Sequence, residues 1–285
     1  MIANNDVFEC NEAEILQGVE IPPCPAILTK LLRETRADEP DFRRVGQLIG
    51  SDVALAASVL KVANSSFYGL SSKVVSVQQA LTLLGLGTAT QLVTGLLLRQ
   101  AFAGAAGPAM QRYWKTSMAT SLISALLCRE AGGGDSGIAC TYGLFRDCGK
   151  PVMQQKFTIY ADIFDGSALA PGDPVLEIEN ERYGTNHARV GAQLARSWHL
   201  PETLCFAILH HHDLLGSGED LAEVQADALA LIARGLAAEQ LYCSATDMRC
   251  YEWALAGEWA LFELGLTQEQ FAALSARIKA SVHRL

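Results

Sequence analysis

The sequence has no hydrophobic run that is long enough to cross a membrane. Its most apolar stretch, residues 80–98, carries four threonines and a glutamine, which is too polar for a span of about 20 apolar residues. The first fourteen residues are polar and acidic, and they lack the apolar segment of a secretory signal peptide. Both absences predict a cytoplasmic protein with no membrane partner.

Basic residues are also few. The chain has 22 Lys and Arg against 31 Asp and Glu, giving a net charge of -9, and it contains no basic run. Such a chain repels phosphate backbones, so nucleic acid is excluded as a partner. Aromatic residues make up 7% and β-branched residues are sparse, while half the chain is hydrophobic. This composition predicts helices around a substantial core and no sheet.

Several chemical motifs are missing as well. None of the eight cysteines forms a Cys-x-x-Cys pair, so reduced, buried thiols are expected rather than a zinc or disulfide site. There is no Gly-x-Ser-x-Gly elbow and no P-loop. Cys148 is a poor candidate nucleophile, because the neighbouring Asp147 carboxylate would raise the pKa of its thiol.

Periodic apolar residues predict an all-α fold of two packed subdomains, residues 1–107 and 108–285, divided at the Gly- and Ala-rich stretch 103–108. Ser76 and Gln79 form a capping box at a helix start, and the glycines at 85 and 87 break the apolar stretch. Residues 110–129 and 177–198 are each predicted to form one long helix.

Several motifs, spread over residues 15–240, carry a resemblance. The first half contains the sequences IPPCP at 21–25, SDVALA at 51–56, VANSSFYG at 62–69 and ALTLLGL at 80–86. The second half contains WKTS at 114–117, GLFRDCGK at 143–150, HARVG at 187–191, WHLP at 198–201 and HHH at 210–212. Together they resemble the HDOD family, a bacterial signalling branch of the HD phosphohydrolase superfamily. The resemblance implies an all-helical output or regulatory domain, usually without demonstrated catalysis.

The resemblance also locates the parent superfamily's metal ligands, which are an early His, a His-Asp pair and a late Asp. In this chain those positions hold Thr116, Arg146-Asp147 and Arg234. A guanidinium has no lone pair to give a metal and repels one. We therefore expect a degenerate site with no metal and no cofactor, in which one of the two arginines replaces the cation and both pair with Asp147.

The histidines leave alternatives open. His187, His211 and His212 could be remaining ligands of a second metal position, or they could form an anion pocket with Arg146 and Arg234. They could equally be polar residues that close the helical bundle through hydrogen bonds to helix ends.

Three functions follow from these alternatives. The first is a non-catalytic signalling module, a pseudoenzyme that contacts unidentified signalling proteins. The second is a metal-dependent phosphohydrolase acting on a phosphoester or nucleotide, with a rearranged site of Asp147, His187, His211 and His212. The third is a sensor that binds a nucleotide or another phosphate-bearing ligand through Arg146 and Arg234.

Overall fold

The structure, a computed structural model, is helical throughout the part of the chain that it describes. The described residues are 16, 18–37, 39–64, 73–102, 107–130, 133–164, 173–213, 226–248 and 250–282. Over these ranges there is no β-strand. The predicted all-α fold class is therefore confirmed.

The helices follow one another with short connections. In chain order they are α1 (Ala26–Thr35), α2 (Phe42–Gly50), α3 (Val53–Ala63), α4 (Val77–Leu84), α5 (Leu86–Ala101), α6 (Pro108–Glu130), α7 (Ser136–Phe145), α8 (Gly149–Lys156), a 3₁₀ turn (Thr158–Tyr160), α9 (Ala161–Phe164), α10 (Val175–Tyr183), α11 (His187–Ser197), α12 (Glu202–Leu209), α13 (Ala226–Ala245), α14 (Tyr251–Leu264) and α15 (Gln268–Val282).

Local sequence signals set the helix starts in the first half. The Ser76 hydroxyl accepts a hydrogen bond from the Gln79 backbone N–H at 3.1 Å, and the Gln79 side chain accepts one from Val75 N–H at 2.9 Å. The predicted capping box is thus present, with its return bond shifted by one residue. Gly85 has φ of +78°, a backbone conformation that favours glycine, and it breaks the apolar stretch between α4 and α5 as predicted.

The two halves of the chain pack closely on each other. A Cβ on Gly95 of α5 would lie 2.2 Å from Leu144 Cδ1 of α7, so a larger residue at this position would displace the Leu144 side chain from between the helices. The Trp198 indole N–H donates to the Pro22 carbonyl at 2.9 Å, which joins the extended entry segment to the end of α11. The subdomain boundary at residue 107 stays a prediction, and residues 103–106 of the predicted hinge lie outside the described residues.

The long helix predicted over 110–129 is present as α6, but the single helix predicted over 177–198 is wrong. α10 ends at Tyr183 and is capped by Gly184, whose φ is +71°, and α11 begins after Asn186, whose side chain accepts from Arg189 N–H. The break has a physical cause, since glycine stops one helix and asparagine caps the next. It places His187 at the first position of α11.

No single described helix combines the length and apolarity of a transmembrane span; two helix pairs do so only jointly, each bent by 116° (α2 with α3, and α4 with α5). The seven described cysteines are free thiols.

Candidate metal centre

The site is built around the turn that connects α7 to α8 and carries Asp147. A Cβ on Gly149, the first residue of α8, would lie 2.0 Å from the backbone oxygen of His187 and 2.8 Å from the backbone nitrogen of Gly191. No side chain fits in that space, so glycine is required where α8 meets α11. This close approach brings Asp147 next to the start of α11.

Three imidazoles converge beside Asp147. His187 begins α11, while His211 and His212 follow the end of α12. The Nε2 atom of His187 lies 3.4 Å from Nε2 of His211 and 3.0 Å from Nε2 of His212. The Oδ1 atom of Asp147 lies 3.5 Å from Nε2 of His187 and 3.6 Å from Nε2 of His211. All four side chains offer one ligand atom within 4.8 Å of the others.

The outer nitrogen of His187 is held by a buried carboxylate. Its Nδ1 lies 2.8 Å from Glu179 Oε2, which also accepts the His187 backbone N–H at 2.8 Å. The Tyr160 hydroxyl donates to the other oxygen of Glu179 at 2.6 Å. Burial opposes ionisation of Glu179, but His187 and Tyr160 lower its pKa to about 2. An ionised acceptor at this position requires the proton of His187 to sit on Nδ1.

The other two histidines have acceptors at Nδ1 as well. For His211 the acceptor is the Ile208 carbonyl oxygen, at 2.7 Å. For His212 it is Glu252 Oε1, also at 2.7 Å, in an approach that lies off the axis of the ring N–H. Two lone pairs would repel at the distance found for His211, so its Nδ1 carries the hydrogen, and the nearby Glu252 carboxylate favours the same tautomer in His212.

All three Nε2 lone pairs therefore point toward one another and toward Asp147. Burial lowers the pKa of each imidazole, that of His211 to about 4, so the rings are neutral at pH 7. Neutral imidazole and carboxylate are the forms that bind metal. Donors at ~2.1 Å from a tetrahedral ion lie ~3.4 Å from each other, and the four distances given above, 3.0–3.6 Å, bracket that value.

The charges around the cluster also favour a cation. Asp147 pairs with Lys150 at 2.6 Å, and Arg146 donates to both Glu239 and Glu252. Burial would raise the pKa of Asp147, but the charge of Lys150 lowers it well below its usual range. With Glu179, four carboxylates face two fixed cations, which leaves a net charge of about -2 that one divalent ion would neutralise.

The chemistry of this donor set fits a metal ion. Three imidazole nitrogens with one carboxylate oxygen suit a transition-metal dication such as Zn²⁺, Mn²⁺, Fe²⁺ or Co²⁺, whereas Mg²⁺ and Ca²⁺ favour oxygen ligands. Each imidazole is also oriented by an outer acceptor, as ligating histidines generally are. Asp147, His187, His211 and His212 are therefore the residues that would hold the ion.

A pocket of about 220 Å³ opens beside Asp147. Its lining includes the cationic side chains of Arg112, Arg146 and Lys150 and the hydroxyl of Thr116, together with Glu239. A cleft with cations and hydroxyls next to a metal position is suited to an anionic ligand.

The structure corrects the prediction that two arginines pair with Asp147. Arg146 is buried but its ion pairs are with Glu239 and Glu252, which raise its pKa against the effect of burial. Arg234 donates to the Gly133 carbonyl oxygen at 3.0 Å and is not among the residues that line the pocket. The guanidinium groups therefore do not form a joint anion site with the histidines.

The remaining sequence candidates are also located. Thr116 lines the pocket, as does Arg146. His210, although adjacent to His211, turns away and pairs with Asp213 at 2.5 Å. Sequence reasoning missed Glu179, Glu239 and Glu252. Glu179 is separated from His187 by a helix break, and the two other glutamates lie 93 and 106 residues after Arg146, so no local pattern could have indicated them.

Comparisons with known proteins agree with the geometry. A sequence model described as the HDOD domain matches residues 21–214. A solved structure of an HDOD domain protein from Geobacter sulfurreducens, 22% identical, has a TM-score of 0.72 and covers 95% of this chain and 93% of its own. A structure from Shewanella amazonensis, whose name provisionally assigns it phosphohydrolase activity, has a TM-score of 0.67 at 22% identity and covers 94% of both chains.

An uncharacterised protein of Treponema pallidum is 25% identical over 210 residues, which are 70% of this chain and 39% of that protein. This chain thus spans about two fifths of the length of that relative. With its helical fold, its match over residues 21–214 and its convergent Asp and His side chains, the chain belongs to the HDOD domain family.

Proposed function

We propose that this protein is a non-catalytic signal-transduction module that binds one divalent transition-metal ion through Asp147, His187, His211 and His212. The observation that carries the proposal is a cluster of imidazole nitrogens beside one carboxylate oxygen. Nε2 of His187 lies 3.4 and 3.0 Å from Nε2 of His211 and His212, and Asp147 Oδ1 lies 3.5 and 3.6 Å from Nε2 of His187 and His211. Buried lone pairs that face each other without a hydrogen between them are unfavourable, and a cation at their centre removes the repulsion.

The same geometry argues for one ion rather than two. Thr116 and Arg146 stand at positions where the family resemblance implies further ligands. The Arg146 guanidinium cannot bind a metal and is itself held by two carboxylates. The sequence predicted a site without metal; in its place we propose a site with a single ion. The absence of catalysis and the signalling partners remain part of the proposal.

The pocket beside Asp147 supports an anionic input to this module. Lys150 and Arg112 supply positive charge at the pocket, and Lys150 is already oriented by Asp147. A phosphate-bearing ligand would gain hydrogen bonds from both side chains. Binding there would report on a metabolite or nucleotide to a partner protein.

A metal-dependent phosphohydrolase is the second candidate, and the pocket's position next to Asp147 favours it. A bound divalent ion would supply Lewis-acid polarisation of a phosphoryl oxygen. The chain's own residues would hold the phosphate through Lys150 and Arg112. Hydrolysis of a panel of phosphomonoesters and phosphodiesters by metal-loaded protein, lost on Asp147→Asn, would establish this function in place of the non-catalytic one; the products are phosphate and an alcohol from a monoester, and a monoester and an alcohol from a diester.

The metal proposal is tested by elemental analysis. Chelator-treated protein is incubated with Zn²⁺, Mn²⁺ or Co²⁺ and dialysed, and the retained ion is counted. We expect one ion per chain in the wild type and loss of stoichiometric binding in His211→Ala. His210→Ala is the matched control, because His210 lies beside His211 but outside the cluster. A substoichiometric wild type, or equal retention by His211→Ala, would overturn the proposal.

A further inference from the structure

Glu252 connects the candidate metal centre to a helix beyond the family match. It lies in the first turn of α14, well after residue 214, where the match ends. Its Oε1 approaches His212 Nδ1 at 2.7 Å, and its Oε2 accepts a hydrogen bond from Arg146 Nη2. One carboxylate therefore contacts both a candidate metal ligand and the arginine that follows α7.

This contact favours the tautomer of His212 in which Nε2, the nitrogen that faces the centre, keeps its lone pair. A carboxylate at 2.7 Å favours a hydrogen on Nδ1, and this leaves the Nε2 lone pair pointing at His187 Nε2, 3.0 Å away. His187 and His211 have their own acceptors, Glu179 and the Ile208 carbonyl, inside the matched range. For His212, Glu252 is the acceptor that lies at Nδ1 within the described part of the chain.

Arg146 explains why Glu252 stays in this position. The guanidinium is 4% exposed and its two outer nitrogens contact two carboxylates, Glu239 of α13 and Glu252 of α14. A planar guanidinium restrains a carboxylate in a defined orientation better than a lysine would. Arg146 stands where the resemblance implies a metal-binding histidine, so here that position orients an outer carboxylate.

We infer that Glu252 is a positioning residue for the metal centre and that Arg146 holds it there, so that α13 and α14 complete a site whose ligands all lie before residue 214. The inference rests on the proposed metal function. It assigns to the C-terminal helices a role in the affinity of the centre for its ion.

The test compares Glu252→Gln with Glu258→Gln, an exposed glutamate on the same helix. The affinity for Zn²⁺ is measured by competition with a chromophoric chelator, and the Co²⁺ absorption spectrum reports the ligand set. Removing an outer-shell partner of a ligating histidine weakens metal binding by about 10–100-fold. We expect this loss and an altered Co²⁺ spectrum for Glu252→Gln, and wild-type values for Glu258→Gln.

A double-variant cycle tests the role of Arg146. If Arg146 acts through Glu252, then Arg146→Gln combined with Glu252→Gln weakens Zn²⁺ binding about as much as the stronger single variant. Losses that multiply would show that Arg146 acts separately and would overturn its assigned role.

A measurement on the unsubstituted protein keeps the inference testable if a variant does not fold. Nitrogen-15 NMR of the metal-free protein at neutral pH should show His212 with its hydrogen on Nδ1. A hydrogen on Nε2 would overturn the inference. Failure of the wild type to bind any ion would sink the proposed function instead, whereas wild-type affinity in Glu252→Gln would sink the positioning role alone.

Discussion

At the scale of the residue, the chemistry of this protein depends on the protonation of buried side chains. His187, His211 and His212 are neutral because burial makes the imidazolium form costly. Their outer partners fix the hydrogens on Nδ1. Arg146, which stands where the resemblance implies a histidine, is compatible with the proposed centre, because the arginine pairs with glutamates.

The lowered pKa of His211 gives the metal-free protein a defined dependence on pH. In the folded state this pKa is about 4, against 6.5 in the unfolded chain. The unfolded chain binds more protons between these two pKa values, so the free energy of unfolding decreases as pH falls from about 6.5 toward 4. The gap corresponds to about 3 kcal/mol for this residue. Urea unfolding of His211→Asn across this pH range should show a smaller decrease in the free energy of unfolding than the wild type shows. An equal decrease would contradict the lowered pKa of His211.

At the scale of the element, one glycine contact positions the site. Gly149 allows α8 to touch the backbone of α11, and this contact sets the distance between Asp147 and His187. The turn at 146–148 and the cap at Asn186 then deliver both side chains to the same place. The α13 and α14 helices add Glu239 and Glu252 from the other side.

Gly149→Ala should therefore destabilise the protein. Its Cβ would lie 2.0 Å from the His187 carbonyl oxygen, and such overpacking costs about 1–3 kcal/mol or more. Gly87→Ala is the matched control, because it lies in helix α5 and its Cβ would meet nothing within 4 Å. We expect that variant to be neutral or more stable by about 0.5–1 kcal/mol. Chemical denaturation of both variants checks the pair, and equal stabilities would refute the contact.

At the scale of the whole molecule, the candidate ion would join segments that are far apart in the sequence. Asp147 comes from the turn after α7, His187 from α11, and the other two ligands from the end of α12. The core of buried residues around them runs from Val19 to Ile232. An ion that binds only the folded arrangement stabilises this entire core.

Metal should accordingly raise the global stability. At a free Zn²⁺ concentration 100 times the Kd, the free energy of unfolding should increase by about 2.7 kcal/mol. Thermal melting of wild type with and without Zn²⁺ measures the effect. Asp147→Asn should show little or none of it, and a similar increase in that variant would place the ion elsewhere.

The sequence by itself determined the helical fold class, the capped helix start at Ser76 and the family. Those features rest on composition, periodicity and short-range caps such as Ser76 with Gln79, all of which act between near neighbours. It also supplied every candidate metal ligand by residue number, within one of the alternatives left open.

Only the tertiary structure decided which alternative the site supports. Arg146 pairs with Glu239 and Glu252, which lie on helices distant from it in sequence. The break that starts α11 at His187 depends on competition between the end of one helix and the start of the next. Which charged groups pair depends on their distance in space, because the interaction energy of two charges decreases with distance and is screened by salt. A sequence places charges along a line, whereas the fold determines which of them meet.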